Sequence, residues 1–191
     1  MDEDFINDNF NLYGLRPLIP KYSEALNMIL SPESPDSEEA NDQSFLEIYQ
    51  SALDLYGMIH ARFILTTSGL QIMRQKYLAG TFGVCPRLLC ENQGVLPIGL
   101  SDELNKSRVK AYCPRCEDAY YPKIKADIDG AYFGTAFPHM LLQAYPNLVP
   151  KEGAPPYIPR IYGFRIFGQR GSKYLLSSNM NMTTSAITTS K

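Results

Sequence analysis

Apolar residues recur at helical spacing through the first 80 positions and at strand spacing in much of the remaining chain. Phe5, Ile6, Phe10, Leu12 and Leu15 predict a short helical turn ending near Gly14, and residues 16–20 read as a connector. Tyr22, Ala25, Leu26, Ile29 and Leu30 share one side of a helix over 22–30. Further on, Tyr49, Ala52, Tyr56, Ile59 and Phe63 step by 3, 4, 3 and 4, the spacing of one face of a long amphipathic helix reaching about Leu65. Ser44 is its expected N-cap, with Glu47 closing a capping box. Ser68 and Gln71 repeat that pattern and open a further helix stopped at Gly80. His60 adjoins the apolar face and reads as a packed or hydrogen-bonded residue rather than a ligand. Past residue 80, residues 109–112 and 119–121 are strand-like, Gly94 and Asp129-Gly130 mark turns, and residues 137–145 fit a short helix containing His139. A proline-rich extended connector covers 150–159. In 161–167, Tyr162, Phe164 and Ile166 alternate with Ile161, Arg165 and Phe167. A strand so apolar on both sides is either core or an exposed hairpin awaiting a partner.

The pattern breaks twice. Residues 31–42 hold five acids (Glu33, Asp36, Glu38, Glu39, Asp42), no base and two Ser-Pro steps, which predicts an exposed acidic loop suited to basic regulators or to nothing at all. The Ser-, Thr- and Asn-rich stretch 177–191 is expected to be disordered. The expected class is therefore α+β: a helical part over 1–80, a small β part ending in an extended segment over 81–167, and a flexible tail over 168–191.

Charge adds one feature to this picture. The net charge of −2 conceals an asymmetry, with 12 acids against 2 bases in residues 1–60 and 8 against 16 in 61–191. Two electrostatic faces with different partners are the functional reading, and ordinary solvated surface is the alternative. No run of 18 apolar residues exists, so no membrane span is expected.

The four cysteines supply the candidate chemistry. Cys85 and Cys90 form C-x4-C, and after a spacer of 22 residues Cys113 and Cys116 form C-x2-C. Two short cysteine turns joined by strands make a zinc ribbon, in which four thiolates close a tetrahedral shell around one structural zinc. An all-sulfur shell leaves no position for a reactive water, so such a site serves structure. Two disulfides or a redox C-x2-C pair are the alternatives. Disulfides require an oxidising compartment, and the opening Met1-Asp2-Glu3-Asp4 is not that of a signal peptide. No phosphate-cradling glycine loop and none of the kinase signatures occur, and both histidines are isolated, so catalysis is not expected.

Several segments together resemble the regulatory (beta) subunit family of the Ser/Thr protein kinase casein kinase II. They are residues 5–15 (with Asp8, Phe10, Asn11 and Gly14), 55–66 (Leu55-Tyr56-Gly57-Met58-Ile59-His60-Ala61-Arg62), 82–87 and 96–102. Residues 112–116, Asp129 to Thr135, Phe137 to Met140 and Pro159 to Phe164 complete the set. The resemblance covers about residues 4–166. It implies a helical part joined to a zinc ribbon, with Cys85, Cys90, Cys113 and Cys116 as zinc ligands. It also implies dimerisation through the ribbons, with Pro86, Leu88, Ala119 and Ile161 at the dimer contact. Met140, Tyr162 and Phe164 would then dock the catalytic subunit in a tetramer of the cytoplasm and nucleus, directed at protein substrates and open to polyamines or other basic regulators.

Two departures accompany the resemblance. Family members carry a further N-terminal stretch with autophosphorylated serines and a Trp-containing segment, whereas this sequence opens after it and contains no Trp. Phe167 stands where the family commonly has histidine. Two other functions compete: a zinc-ribbon nucleic-acid binder, and a diverged paralogue that dimerises without binding the catalytic chain. The first needs clustered bases, but acids interleave with Arg87, Lys106, Arg108, Lys110, Arg115, Lys123 and Lys125.

Overall fold

The N-terminal third folds as short helices laid against one long one. The computed structural model describes residues 1–31, 42–123, 127–170 and 172. Of the acidic loop only Ser31 and Asp42 lie among them; Glu33, Asp36, Glu38, Glu39 and the tail from 173 fall outside the described residues. Helices α1 (Glu3–Asn7) and α2 (Asn9–Leu12) meet at Asp8, whose carboxylate accepts from the Phe10 amide and so caps α2. Helix α3 (Tyr22–Leu30) packs along α4 (Gln43–Phe63). Ile6, Leu12, Leu15, Ile19, Ala25, Ala52, Leu55 and Ile59 form the buried cluster between them.

Helix α5 (Thr67–Leu78) comes after a short turn and ends ahead of Gly80, which takes a left-handed φ of 71°. A second cluster joins α5, strand β1 (Leu96–Ile98) and helix α6 (Phe137–Ala144) through Ile64, Leu70, Met73, Leu96, Phe137 and Leu141. Strands β1, β2 (Lys110–Cys113) and β3 (Asp118–Tyr120) form an antiparallel sheet in that order, with Pro97 opposite Ala111 and Tyr112 opposite Ala119. Among the described residues no helix is long and apolar enough to cross a membrane. The mixed class is as expected: helices first, then a small sheet carrying the cysteines.

The chain divides into two compact units, 1–153 and 154–191. The helices and the three-stranded sheet belong to the first. In the second, β4 (Arg160–Ile161) and β5 (Phe164–Arg165) pair as a hairpin. Tyr162 and Gly163 form its turn with φ of 49° and 87°, both left-handed, as a tight two-residue hairpin requires. Of the two readings of 161–167, core strand or exposed hairpin, the exposed hairpin is the one formed, because Tyr162-Gly163 reverses the chain.

Three local expectations are corrected. The N-cap of α4 is Asp42, not Ser44, and it makes no side-chain cap. Glu47 instead pairs with Lys21 at 2.8 Å, so the expected capping box does not form. The cap of α5 is Thr66, whose hydroxyl accepts from the Gly69 amide, rather than Ser68. Along α4 the buried residues are Ser51, Ala52, Leu55, Gly57 and Ile59, whereas Tyr49 and Tyr56 remain 49% and 43% exposed. Small side chains let neighbours approach closely, and the bulky tyrosines turn outward. Strand β1 has no counterpart among the expected elements, since Pro97 at its centre argues against a strand.

The joint between α4 and the sheet region rests on Tyr132. Its hydroxyl donates to Asp54 at 2.7 Å, and His60 Nδ1 meets its carbonyl oxygen at 2.7 Å. A carbonyl only accepts, so Nδ1 carries the proton. The neutral ring also packs edge-on against Phe133, and burial holds the His60 pKa below the usual histidine value. His60 is therefore the hydrogen-bonded residue expected from its position. Between these contacts Gly57 faces the Tyr132 ring so closely that a Cβ would sit 2.1 Å from Cδ1. On an open helix surface Gly→Ala would stabilise by about 0.5–1 kcal/mol. Here Gly57→Ala is expected to destabilise by about 1–3 kcal/mol through overpacking. Chemical denaturation of Gly57→Ala, Tyr132→Ala and the double variant checks this; additive effects would show that the two residues are uncoupled.

Candidate metal centre and docking surfaces

The two cysteine pairs sit on two turns built in different ways. The first turn is closed by the Cys85 amide donating to the Gln93 carbonyl at 2.8 Å, next to an isolated bridge between Val84 and Gly94. Within it residues 88–90 make one 3-10 turn, and Glu91 and Asn92 adopt left-handed φ of 51° and 59° to bring the chain back. The Arg87 amide points at Cys85 Sγ from 3.4 Å. The second turn is the β2–β3 connection: Cys113 ends β2, the Glu117 amide donates to the Cys113 carbonyl, and Cys116 lies inside the loop. Arg115 ties the two turns together, donating to the Cys90 carbonyl at 3.1 Å and pairing with Glu91 at 3.0 Å.

All four Sγ atoms lie within 4.8 Å of one another, with Cys85 and Cys116 sulfurs 4.0 Å apart. Four thiolates at 2.3 Å around one tetrahedral ion would stand about 3.8 Å apart, so the quartet fits a single ion. A disulfide needs sulfurs about 2.05 Å apart, whereas the four sulfurs here converge as one cluster, the arrangement that a shared ion requires. Cys85, Cys90 and Cys113 are buried and Cys116 is half-buried. Burial pushes the Cys90 thiol up and lifts Cys113 to about 11. Burial also raises Cys116, but hydrogen bonds from Tyr120 and the Asp118 amide outweigh it and bring that thiol to about 7. The low dielectric thus resists several thiolates at once, and a cation among them would reverse that cost. The chemistry is that of one structural metal ion.

Tyr120 was not foreseen as part of this site. Its hydroxyl lies 3.3 Å from Cys116 Sγ. The contact with Cys116 and burial both raise the Tyr120 pKa, and toward a Cys116 thiolate, which can only accept, the Tyr120 O–H would be the donor. Tyrosine four residues after a cysteine has no specific sequence signal; only the β2–β3 hairpin brings the two together. His139, by contrast, stacks edge-on against Tyr112 and takes no part in the sulfur quartet.

The residues carried by the resemblance are surface residues. Pro86 and Leu88, on the first cysteine turn, are exposed, Leu88 to 91%, and Ala119 is exposed on β3. Met140 on α6 is 42% exposed. In the C-terminal unit, Ile161 flanks the hairpin turn, Tyr162 occupies it at 97% exposure, and Phe164 comes next at 78%. An exposed aromatic pair on a tight turn is an arrangement that solvent alone does not favour.

Comparison with known proteins agrees with this geometry. The family model described as casein kinase II regulatory subunit matches residues 1–165. The casein kinase II subunit beta of Schizosaccharomyces pombe is 54% identical over 169 residues, covering 87% of this chain and 71% of that protein. The Dictyostelium discoideum subunit beta is 51% identical, covering 87% of this chain and 62% of its own length. The casein kinase II subunit beta' of Drosophila melanogaster is 46% identical, covering 87% and 76%. The chain spans 58% to 76% of the length of eight of the curated relatives it matches. With a family match across 165 residues and a four-cysteine centre of the expected shape, the chain belongs to the casein kinase II regulatory subunit family.

Proposed function

We propose that this chain is a non-catalytic regulatory subunit that dimerises through its ribbon and scaffolds two casein kinase II catalytic subunits in a heterotetramer. The observation that carries the reading is the closed sulfur quartet on a family-matched chain whose C-terminal unit presents Tyr162 and Phe164 to solvent. Zinc is the ion proposed, one per chain, because four sulfurs in a closed tetrahedral set suit it. Pro86, Leu88, Ala119 and Ile161 are proposed as the dimer contact, and Met140, Tyr162 and Phe164 as anchors for the catalytic chain. The holoenzyme would act on protein substrates in cytoplasm and nucleus, with the acidic segment 31–42 open to polyamines or basic regulators.

A nucleic-acid role has less behind it. Arg108 pairs with Asp127 at 2.8 Å, Arg115 with Glu91, and Lys106 with Glu103 at 3.6 Å, so acids accompany these bases of the ribbon region. The test of the main reading is the light-scattering mass of the metal-loaded chain, alone and mixed with a casein kinase II catalytic subunit. A dimer that shifts to a two-plus-two complex is the expected result. A dimer indifferent to the catalytic subunit would favour the diverged paralogue, and a monomer in both samples would remove the dimer claim.

A further inference from the structure

We propose that Cys116 is the ligand through which the sulfur centre takes up and releases its ion, and that Tyr120 is the positioning residue that latches it. The inference rests on the reading of the quartet as a zinc site and concerns how that site exchanges metal. Three of the four cysteines are sealed in, Cys85 at 3% exposure and Cys90 and Cys113 at 0%, whereas Cys116 is half-buried. A chelator or an incoming ion therefore meets the quartet at Cys116 first. The sealed cysteines are also tied to the surrounding backbone. Cys113 is the last residue of β2 and lies opposite Asp118 in the ladder. The Arg87 amide meets Cys85 Sγ, and Arg115 holds the Cys90 carbonyl. Cys116 lies in the loop between the ladder positions, just before Glu117 turns the chain with a left-handed φ of 58°.

Tyr120 is placed to hold that loop cysteine. It sits on β3 opposite Ala111 of β2, so the sheet carries its ring and the loop does not. Its hydroxyl reaches Cys116 Sγ from 3.3 Å, alongside the Asp118 amide. Toward a metal-bound thiolate the O–H donates, a charge-assisted bond that draws electron density off sulfur and fixes the direction of the side chain. For a half-exposed ligand that hold decides how often the sulfur swings off the ion and yields its place to a competitor. Groups that orient a ligand from outside the shell typically set metal affinity by about 10–100-fold. Phenylalanine fills the same space without the bond, so the hydroxyl is the part of residue 120 that acts.

The test uses the full chain loaded with cobalt(II), whose sulfur-to-metal charge-transfer bands report on the thiolates. Tyr120→Phe is expected to keep the metal stoichiometry and circular dichroism of the wild type. It should lose cobalt to excess EDTA about tenfold faster or more, with its charge-transfer band moved to lower energy because the sulfur is more electron-rich. Arg115→Met, which cuts the tie between the two cysteine turns away from sulfur, should leave the band in place. Wild-type release and band in Tyr120→Phe would overturn the latch. An equal band shift in Arg115→Met would show general loosening and overturn it too. A second measurement needs no variant: the zinc-loaded wild type is treated with substoichiometric N-ethylmaleimide and its peptides are weighed by mass spectrometry. Label appearing first on Cys116 is the expected result, and label first on Cys85, Cys90 or Cys113 would overturn Cys116 as the point of exchange. A wild type that binds neither zinc nor cobalt would overturn the zinc reading itself, and this proposal with it, a result distinct from all the others.

Discussion

Chelating the metal is expected to unfold the sheet region and to convert the protein into monomers. A structural zinc site in small peptides supplies about 10–16 kcal/mol of apparent binding energy at neutral pH, and that binding energy is folding energy. Apart from the ion, the two cysteine turns are held by the Arg115 bonds to Cys90 and Glu91 and by short ladders, since β2 and β3 are four and three residues long and Cys113 is the last residue of β2. Leu96 of β1 packs with α5 and α6, so the loss propagates into that cluster. The α1–α4 cluster shares none of those residues, and much of the helical signal should survive. Circular dichroism and scattering mass, before and after chelation and on readdition of zinc, provide the measurement. Acid should act in the same direction as the chelator, because protons compete with the ion for four sulfurs that must bind it as thiolates. A chelated sample that stays a folded dimer would sink the proposal of a zinc-held dimer.

The second large effect concerns the hairpin turn. Tyr162→Ala together with Phe164→Ala is expected to abolish capture of the catalytic subunit while leaving the dimer mass unchanged. Aromatic anchors at the centre of an interface typically cost about 2 kcal/mol or more each when truncated, roughly 30-fold in affinity. Both side chains are largely exposed in the free chain, so removing them takes little from the fold. Calorimetric titration of the catalytic subunit into wild type and variant gives the affinities. Undiminished binding by the double variant would place docking elsewhere.

How much of this was legible in the sequence depends on the kind of signal. The metal centre was readable because thiolate chemistry demands one residue type, and the spacing of Cys85, Cys90, Cys113 and Cys116 left only the pairing to be decided. The helices over 22–30 and 137–144 were readable because each buries one face. The α4 face was misread because tyrosines at 49 and 56 satisfy the same period as the true core positions, one step around the helix. The caps failed for a related reason: any serine before a hydrophobic run resembles an N-cap, and Lys21, 26 positions away from Glu47, took its carboxylate.

By itself the sequence determined which residues can bind metal, the order of helices before sheet, and the family, since each rests on residue identity and spacing along one chain. Only the tertiary structure decided that Gly57 makes room for Tyr132, that the Tyr120 hydroxyl meets the Cys116 sulfur, and that Tyr49, Leu53 and Tyr56 face outward beside Met28. Those pairings depend on which surfaces meet once the chain closes on itself. Periodicity tells which residues share a face; it does not tell what that face will touch.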